Sequence, residues 1–315
     1  MSMGQGWPPM RPLLASLLLV CALFVRPQAA TQSQSEGAPP SGPLQAALNA
    51  QLVRTLDRIA SSLDGVAGYI VTDLTTREHV AARMEKDTFP TASAIKLSVL
   101  YELFKQVEAG TLQLDMPSPI NKAQLVGGTG VVQHLTTASL SLRDHATLMI
   151  MVSDNSSTNV VIQAVGMDKV NARMTALGLG DIRLRRLMMD GAAVKRGDEN
   201  VASPQSLAKI AELLWRGEGL KPESRETAMK MLKLVSGSIR AAVPASVPVY
   251  TKTGGLDGVR TEAGVVDVAG RPFSIAVMTT YLKNDEEGGR AIQDLTAAAY
   301  SHFDRLAAST AYGRK

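Results

Sequence analysis

The strand-like segments of this chain stand in two groups far apart. Val66–Leu74 and His79–Met84 flank Thr75-Thr76-Arg77 and predict a hairpin. Pro248–Gly254, Val259–Val268 and Phe273–Tyr281 predict three more strands joined by glycine-containing turns. Most of what lies between reads as helix. One helix starts near Ser93 and ends at Gly110. Another follows the capping-box pattern Ser141-Leu142-Arg143-Asp144 and runs to about Val152. Then come Ser156–Val165, Met167–Leu177, Pro204–Trp215 behind Ser203, and Pro222–Leu234. Helices close both ends: Leu44–Leu63, with Leu44, Leu48, Leu52, Leu56, Ile59 and Leu63 at helical spacing, and a last one from about Gly288 to Leu306. Strands drawn from both ends around an inserted helical block predict an α/β fold. It is a two-lobed sandwich, an antiparallel sheet with terminal helices plus an inserted all-α lobe. The cleft between such lobes is a natural ligand site.

The first 43 residues stand apart from this pattern. Arg11 is the only charge before a mostly apolar run from Leu13 to Val25, and small residues follow at Ala29-Ala30. The run is short for a bilayer span, so residues 1–30 are expected to be a signal peptide and the protein to be secreted or periplasmic, with no stable membrane span after cleavage. Residues 31–43, rich in Ser, Gln, Gly and Pro, read as a flexible tether, and residues 44–308 as one folded domain. Cys21, the only cysteine, lies inside the apolar run, so the mature chain can form neither a disulfide nor a thiolate zinc site. Cleavage would leave 31 of the 33 bases against 29 acids, a net charge of +2 in place of +4. No Lys/Arg block is interleaved with aromatics, so nucleic acid is not an expected partner. The four histidines are scattered without metal-ligand spacing, and no metal or cofactor is expected.

Three short motifs carry the chemistry: Ser93-Ala94-Ile95-Lys96, Ser153-Asp154-Asn155 and Lys252-Thr253-Gly254. Ser-x-x-Lys in the first turn of a helix puts Ser93 and Lys96 on one face. A lysine whose pKa is lowered by nearby cations can take a serine proton, and the helix N-terminus offers free N–H groups for an oxyanion. Alone, this motif turns up roughly once per chain of this size. Ser153-Asp154-Asn155 falls between two helices, where it can relay a proton and orient an amide, or simply cap a helix. Lys252-Thr253-Gly254 closes a strand. If a hairpin follows, Arg260 is expected across from Thr253, and Lys252, Thr253 and Arg260 form a cluster suited to a carboxylate. Otherwise it is an ordinary edge hairpin with a solvated charge. Gly255 can present its N–H closely, having no side chain. Each of the last two motifs occurs by chance in well under roughly one chain in ten, so the ordered triple is a strong signal.

These motifs resemble those of the class A β-lactamases and their wider superfamily of serine hydrolases and penicillin-binding proteins. The resemblance spans roughly residues 45–305. It includes Phe89-Pro90 before Ser93, the 60-residue step to Ser153, Asn159 four residues after Asn155, and the segment Val126-Gly127-Gly128-Thr129-Gly130-Val131 at the cleft rim. The resemblance implies a β-lactamase-like fold and a Ser93 nucleophile, with Lys96 as proton acceptor or relay and Ser153 as proton shuttle. It implies that Asn155 contacts a substrate amide and that Lys252, Thr253 and Arg260 hold a carboxylate. Gly254 completes that binding strand, and the N–H groups of Ser93 and Gly255 form the oxyanion hole.

One departure matters. The resemblance implies a loop glutamate that activates the deacylating water, yet its place falls on Leu187 or Met188. The pair Met188-Met189 reads as core. Asp190 and Glu199 are the nearest carboxylates that could substitute as the base, and Asp190, beside Gly191, is the first candidate. The alternative is that it pairs with Arg185 or Arg186, while Glu199 pairs with Arg183 or Arg196. The expected function is a monomeric serine hydrolase that opens β-lactam rings through a Ser93 acyl-enzyme. Two alternatives stand beside it: a D,D-peptidase-like acyltransferase that deacylates slowly, and a non-catalytic sensor of β-lactams or peptidoglycan. The substrate partner is a small β-lactam or peptidoglycan-like molecule.

Overall fold

The computed structural model describes residues 42–314, apart from 121, 137, 138 and 311. The expected signal peptide and nearly all of the expected tether lie outside the described residues. In chain order the main elements are α1 (Pro43–Ser61), β1 (Val66–Asp73), β2 (His79–Arg83), α2 (Lys96–Glu108), α3 (Leu142–Met151), α4 (Asn155–Val165), α5 (Met167–Ala176), α6 (Gly191–Lys195), α7 (Pro204–Arg216), α8 (Pro222–Leu232), α9 (Ser238–Ala241), β3 (Val249–Leu256), β4 (Val259–Val266), β5 (Phe273–Thr280) and α10 (Asp285–Ala307).

The five strands form one antiparallel sheet in the order β2-β1-β5-β4-β3. The N-terminal hairpin thus joins the C-terminal meander through β1 and β5, as the split strand pattern requires. Alternation along the strands sends side chains to two cores. Tyr69, Val71, Phe273, Ile275 and Val277 pack under the terminal helices with Leu52, Leu56, Leu295 and Phe303. Ile70, Ala263, Ala276 and Met278 face the helical lobe and join Leu97, Leu100, Phe104, Val161 and Ile210. The strands are buried on both faces, which is why they read as near-continuous apolar runs.

Local chemistry sets the ends of the elements. The capping box at Ser141 forms as expected: the Ser141 hydroxyl accepts from Asp144 N–H at 3.1 Å, and the Asp144 carboxylate accepts from Ser141 N–H at 3.1 Å. Ser203 caps α7 by accepting from Ser206 N–H. α2 begins at Lys96 rather than Ser93, because residues Ala92–Ile95 form a tighter 3₁₀ turn. The short elements α6 and α9 carry too few residues to show periodicity in the sequence. Among the described residues no helix is long and apolar enough to cross a membrane.

Candidate active site

Ser93 sits in the 3₁₀ turn that leads into α2. Ala92, just before it, is held at φ 46°, a left-handed conformation that costs a non-glycine residue energy. Its surroundings over-determine it. Buried Thr91 donates to the Asn200 carbonyl through both N–H (2.9 Å) and hydroxyl (3.0 Å), and Ala94 N–H bonds back to the Thr91 carbonyl at 3.0 Å. On the other side, β3 presses Gly254 against the turn. A Cβ at 254 would lie 2.5 Å from the Thr91 carbonyl oxygen and 3.0 Å from Ser93 N. Gly254 is therefore what lets the strand come so close.

Lys96 is fully buried, and its Nζ donates to Ser153 Oγ (2.9 Å), the Ser153 carbonyl (2.9 Å) and Asn155 Oδ1 (3.4 Å). Lys252, also fully buried, donates to the same Ser153 Oγ at 3.2 Å and to the Thr253 carbonyl at 3.0 Å. One hydroxyl thus lies between two buried amines. Burial first, and then the neighbouring Lys252 charge, hold Lys96 well below the usual lysine range. Burial brings Lys252 down to about 7, against the opposing pull of the Glu262 carboxylate. An amine so depressed is available near neutral pH as a proton acceptor. Lys96 turns its hydrogen bonds toward Ser153 and Asn155 rather than Ser93, whose hydroxyl has no partner among the described residues.

Ser153 itself stands at φ 56°, and buried Asp154 fixes it there. Asp154 caps α4 by accepting from Ser157 N–H at 2.8 Å. Its second oxygen accepts from Val131 N–H (2.7 Å) and Val132 N–H (2.8 Å), tying the cleft-rim segment to the motif. Asn155 donates to the Gly127 carbonyl at 3.1 Å and receives Lys96, so its amide braces the same rim.

The cleft over Ser93 encloses about 340 Å³. Ser93, Asn155, Gly255, Arg186, Met188 and Met189 are among its lining residues, and none of the lining residues is an aspartate or glutamate. Asn159 grips the backbone of Met188 from both sides, donating to its carbonyl at 3.1 Å and accepting its N–H at 2.8 Å. This places Met188, not Leu187, at the wall of the cleft. Met188 is buried as expected, but Met189 is 56% exposed at φ 63° and is not core.

Three sequence expectations need correction. Asp190 is not among the residues that line the cleft, and it forms no ion pair with an arginine among the described residues. Its carboxylate accepts Ala193 N–H at 2.9 Å and caps α6. The arginine partner is Glu199, held bidentately by Arg186 at 2.7 and 3.0 Å, while Arg196 pairs with Asp198. Arg260 lies across from Gly255, not Thr253, because β3 runs on to Leu256 before a tight turn at Asp257-Gly258. The Arg260 guanidinium binds Asp285 at 2.8 Å and two turn carbonyls, so it braces the hairpin. Lys252 and Thr253 stand on successive strand positions, whose side chains point to opposite faces.

The residue across from Thr253 is Glu262, which sequence reasoning missed. It is buried to 1% exposure, one oxygen accepts Ile239 N–H at 3.1 Å, and burial pushes its carboxyl up to about 7. A correct hairpin register would have revealed it.

A sheet split across the chain ends, with a serine and two buried lysines meeting at the inter-lobe cleft, defines a serine enzyme of the acyl-transfer class. Residues 51–303 match the β-lactamase enzyme family, and the chain belongs to that family. The imipenem-hydrolysing β-lactamase of Enterobacter cloacae is 26% identical, over 82% of this chain and 90% of its own length. The crystal structure of a β-lactamase from Sphaerobacter thermophilus superposes with a TM-score of 0.74 at 27% identity, covering 79% of this chain and 96% of that one. A mutant of PBP-A in an acyl-enzyme complex with penicillin G gives a TM-score of 0.74 at 25% identity, covering 85% of this chain and 100% of that one.

Proposed function

We propose that this protein is an exported serine hydrolase that opens β-lactam rings through an ester on Ser93. The observation that carries this reading is the Ser153 hydroxyl held at 2.9 Å by Lys96 and at 3.2 Å by Lys252, beside a serine that lines an open cleft. In this reading neutral Lys96 accepts the Ser93 proton as Ser93 Oγ attacks the ring carbonyl. The N–H groups of Ser93 and Gly255 meet the oxyanion. The ring C–N bond breaks, and the leaving nitrogen takes a proton from Ser153, which is resupplied by the lysines. Lys252 receives the substrate carboxylate, and Asn155 its amide.

Water must then cleave the ester, and here a second reading gains support. The cleft wall at Met188 carries a thioether where a base would serve, and Asp190 is engaged as a helix cap. This favours a long-lived acyl-enzyme of the penicillin-binding type, with the first half of the reaction intact.

Incubation with a chromogenic cephalosporin, followed by intact mass, separates the two. Turnover with little mass gain supports the hydrolase. A persistent adduct without turnover supports the slow acyltransferase. Absence of both, with Ser93→Ala indistinguishable from wild type, overturns acylation altogether. If Asp190 acts only as a cap, Asp190→Asn leaves the adduct lifetime unchanged, whereas a lengthened lifetime makes it the base.

A further inference from the structure

A second cavity of about 550 Å³, larger than the Ser93 cleft, shares no lining residue with it. It lies where α7 crosses the helical-lobe face of the sheet. The β1–β5 register pairs Ile70 with Ala276 and Thr72 with Ser274. Ile70 and Ala276 pack into the core under the helical lobe, so Thr72 and Ser274, two positions along, face the same way. Opposite them α7 offers Ser206 and Ala208. Four small side chains leave the space between sheet and helix unfilled.

Three cations and several hydroxyls are among the polar groups of this cavity. Ser274 is 1% exposed, and its hydroxyl has no hydrogen-bond partner among the described residues. Such a buried hydroxyl calls for an occupant that completes it. Thr72 Oγ1 engages His79 Nδ1 at 3.0 Å, which leaves Nε2 open. The two carboxylates in the wall are already occupied. Asp181 accepts Ser203 N–H (3.1 Å) and the Ser206 hydroxyl (2.5 Å), while Glu212 lies between Lys209 (3.4 Å) and Arg216 (2.9 Å). Arg77 and Lys86, at the exposed mouth, form no ion pair with a carboxylate among the described residues.

We propose that this cavity binds a hydroxyl-rich anion of one or two sugar rings, its carboxylate or phosphate met by Arg77 and Lys86 and a ring substituent by Ser274. The volume lies within the range of small-ligand sites. Arginine supplies a fork of donors that matches either anion. A neutral sugar would leave the two cations unanswered, and a bare inorganic anion at the mouth would leave Ser274 unanswered. The proposal is independent of the reaction at Ser93.

The test is calorimetric titration of the full chain, as wild type and as Ser93→Ala. N-acetylmuramic acid, N-acetylglucosamine 6-phosphate, neutral N-acetylglucosamine and inorganic phosphate are the probes. At least one anionic sugar is expected to saturate both proteins alike, at least 10-fold more tightly than the neutral sugar or phosphate. Which one does so separates a carboxylated from a phosphorylated ligand. Arg77→Gln combined with Lys86→Gln, both exposed and remote from any core, should weaken binding 10-fold or more. Ser274→Ala should weaken the sugar and not phosphate. Equal binding by the double variant, anionic sugars no tighter than phosphate, or affinity lost in Ser93→Ala would each overturn the proposal.

Discussion

Two amines share the hydroxyl of Ser153, and neither donates to another side-chain hydroxyl among the described residues. If that hydroxyl carries the proton to the leaving nitrogen, Ser153→Ala should lower the second-order rate of Ser93 acylation by roughly 10²- to 10⁴-fold, the span of a positioned proton donor. Stopped-flow labelling with a fluorescent penicillin measures this, and a change under 3-fold would remove Ser153 from the proton path. The second half of the reaction turns on Met188. It lines the cleft with its backbone clamped by Asn159, so a longer-lived ester is expected from the shape of that wall alone. Met188→Glu sets a carboxylate there, and burial would raise its pKa toward neutrality, where a general base works best. The mass-detected adduct of this variant should decay at least about 10-fold faster than that of wild type, a modest share of what a general base supplies. An unchanged decay would mean that water does not reach the ester from this side.

At the level of elements, the site depends on how closely β3 approaches the 3₁₀ turn. Gly254→Ala would put a methyl 2.5 Å from the Thr91 carbonyl oxygen and push strand and turn apart. Overpacking of this kind costs about 1–3 kcal/mol of stability. The loss in acylation should be larger, at least about 100-fold, because a misplacement near 1 Å suffices for that. A variant that keeps full acylation while losing stability would separate Gly254 from the site. The elements themselves were largely legible. The helices announced themselves through periodicity and caps such as Ser141 and Ser203, and the strands through apolar runs bounded by turns. The register of β3 on β4 was not legible. It depends on how far β3 continues before the turn, and two further residues, Gly255 and Leu256, moved the partner of Arg260 from Thr253 to Gly255. That shift hid Glu262. The 3₁₀ turn was hidden for a related reason: the closeness of Gly254 and the grip of Asn200 on Thr91 are tertiary, and no local pattern encodes them. The role of Asp190 was ambiguous because a carboxylate before a small residue suits both a base and a helix cap.

For the molecule as a whole, the sheet holds two opposed ionisable groups on its faces. Lys252 pairs in register with Ala263 and faces the helical lobe, while Glu262 faces α9 beneath the terminal helices. Both are fully buried, and each titrates near 7. Glu262 is raised above the usual carboxylate value, so the folded protein keeps a proton that the unfolded chain releases. Its contribution is complete below about 4.5 and is lost as pH climbs through 7. Lys252 is depressed, so its contribution is complete above about 10.5 and is lost as pH falls through 7. Together the two groups set a minimum in stability near neutrality. Glu262→Gln keeps an oxygen for the Ile239 N–H but cannot ionise, so it isolates the acid side of that minimum. Denaturant unfolding at pH 5, 6 and 7 should find wild type losing ground to the variant by up to about 1.4 kcal/mol per pH unit, the limit for one proton. Carboxylates with lowered values, such as Asp181, change their charge at more acidic pH and cancel in the comparison. If the difference between wild type and Glu262→Gln stays flat from pH 5 to 7, Glu262 is ionised throughout, and the burial of the sheet does not hold its proton.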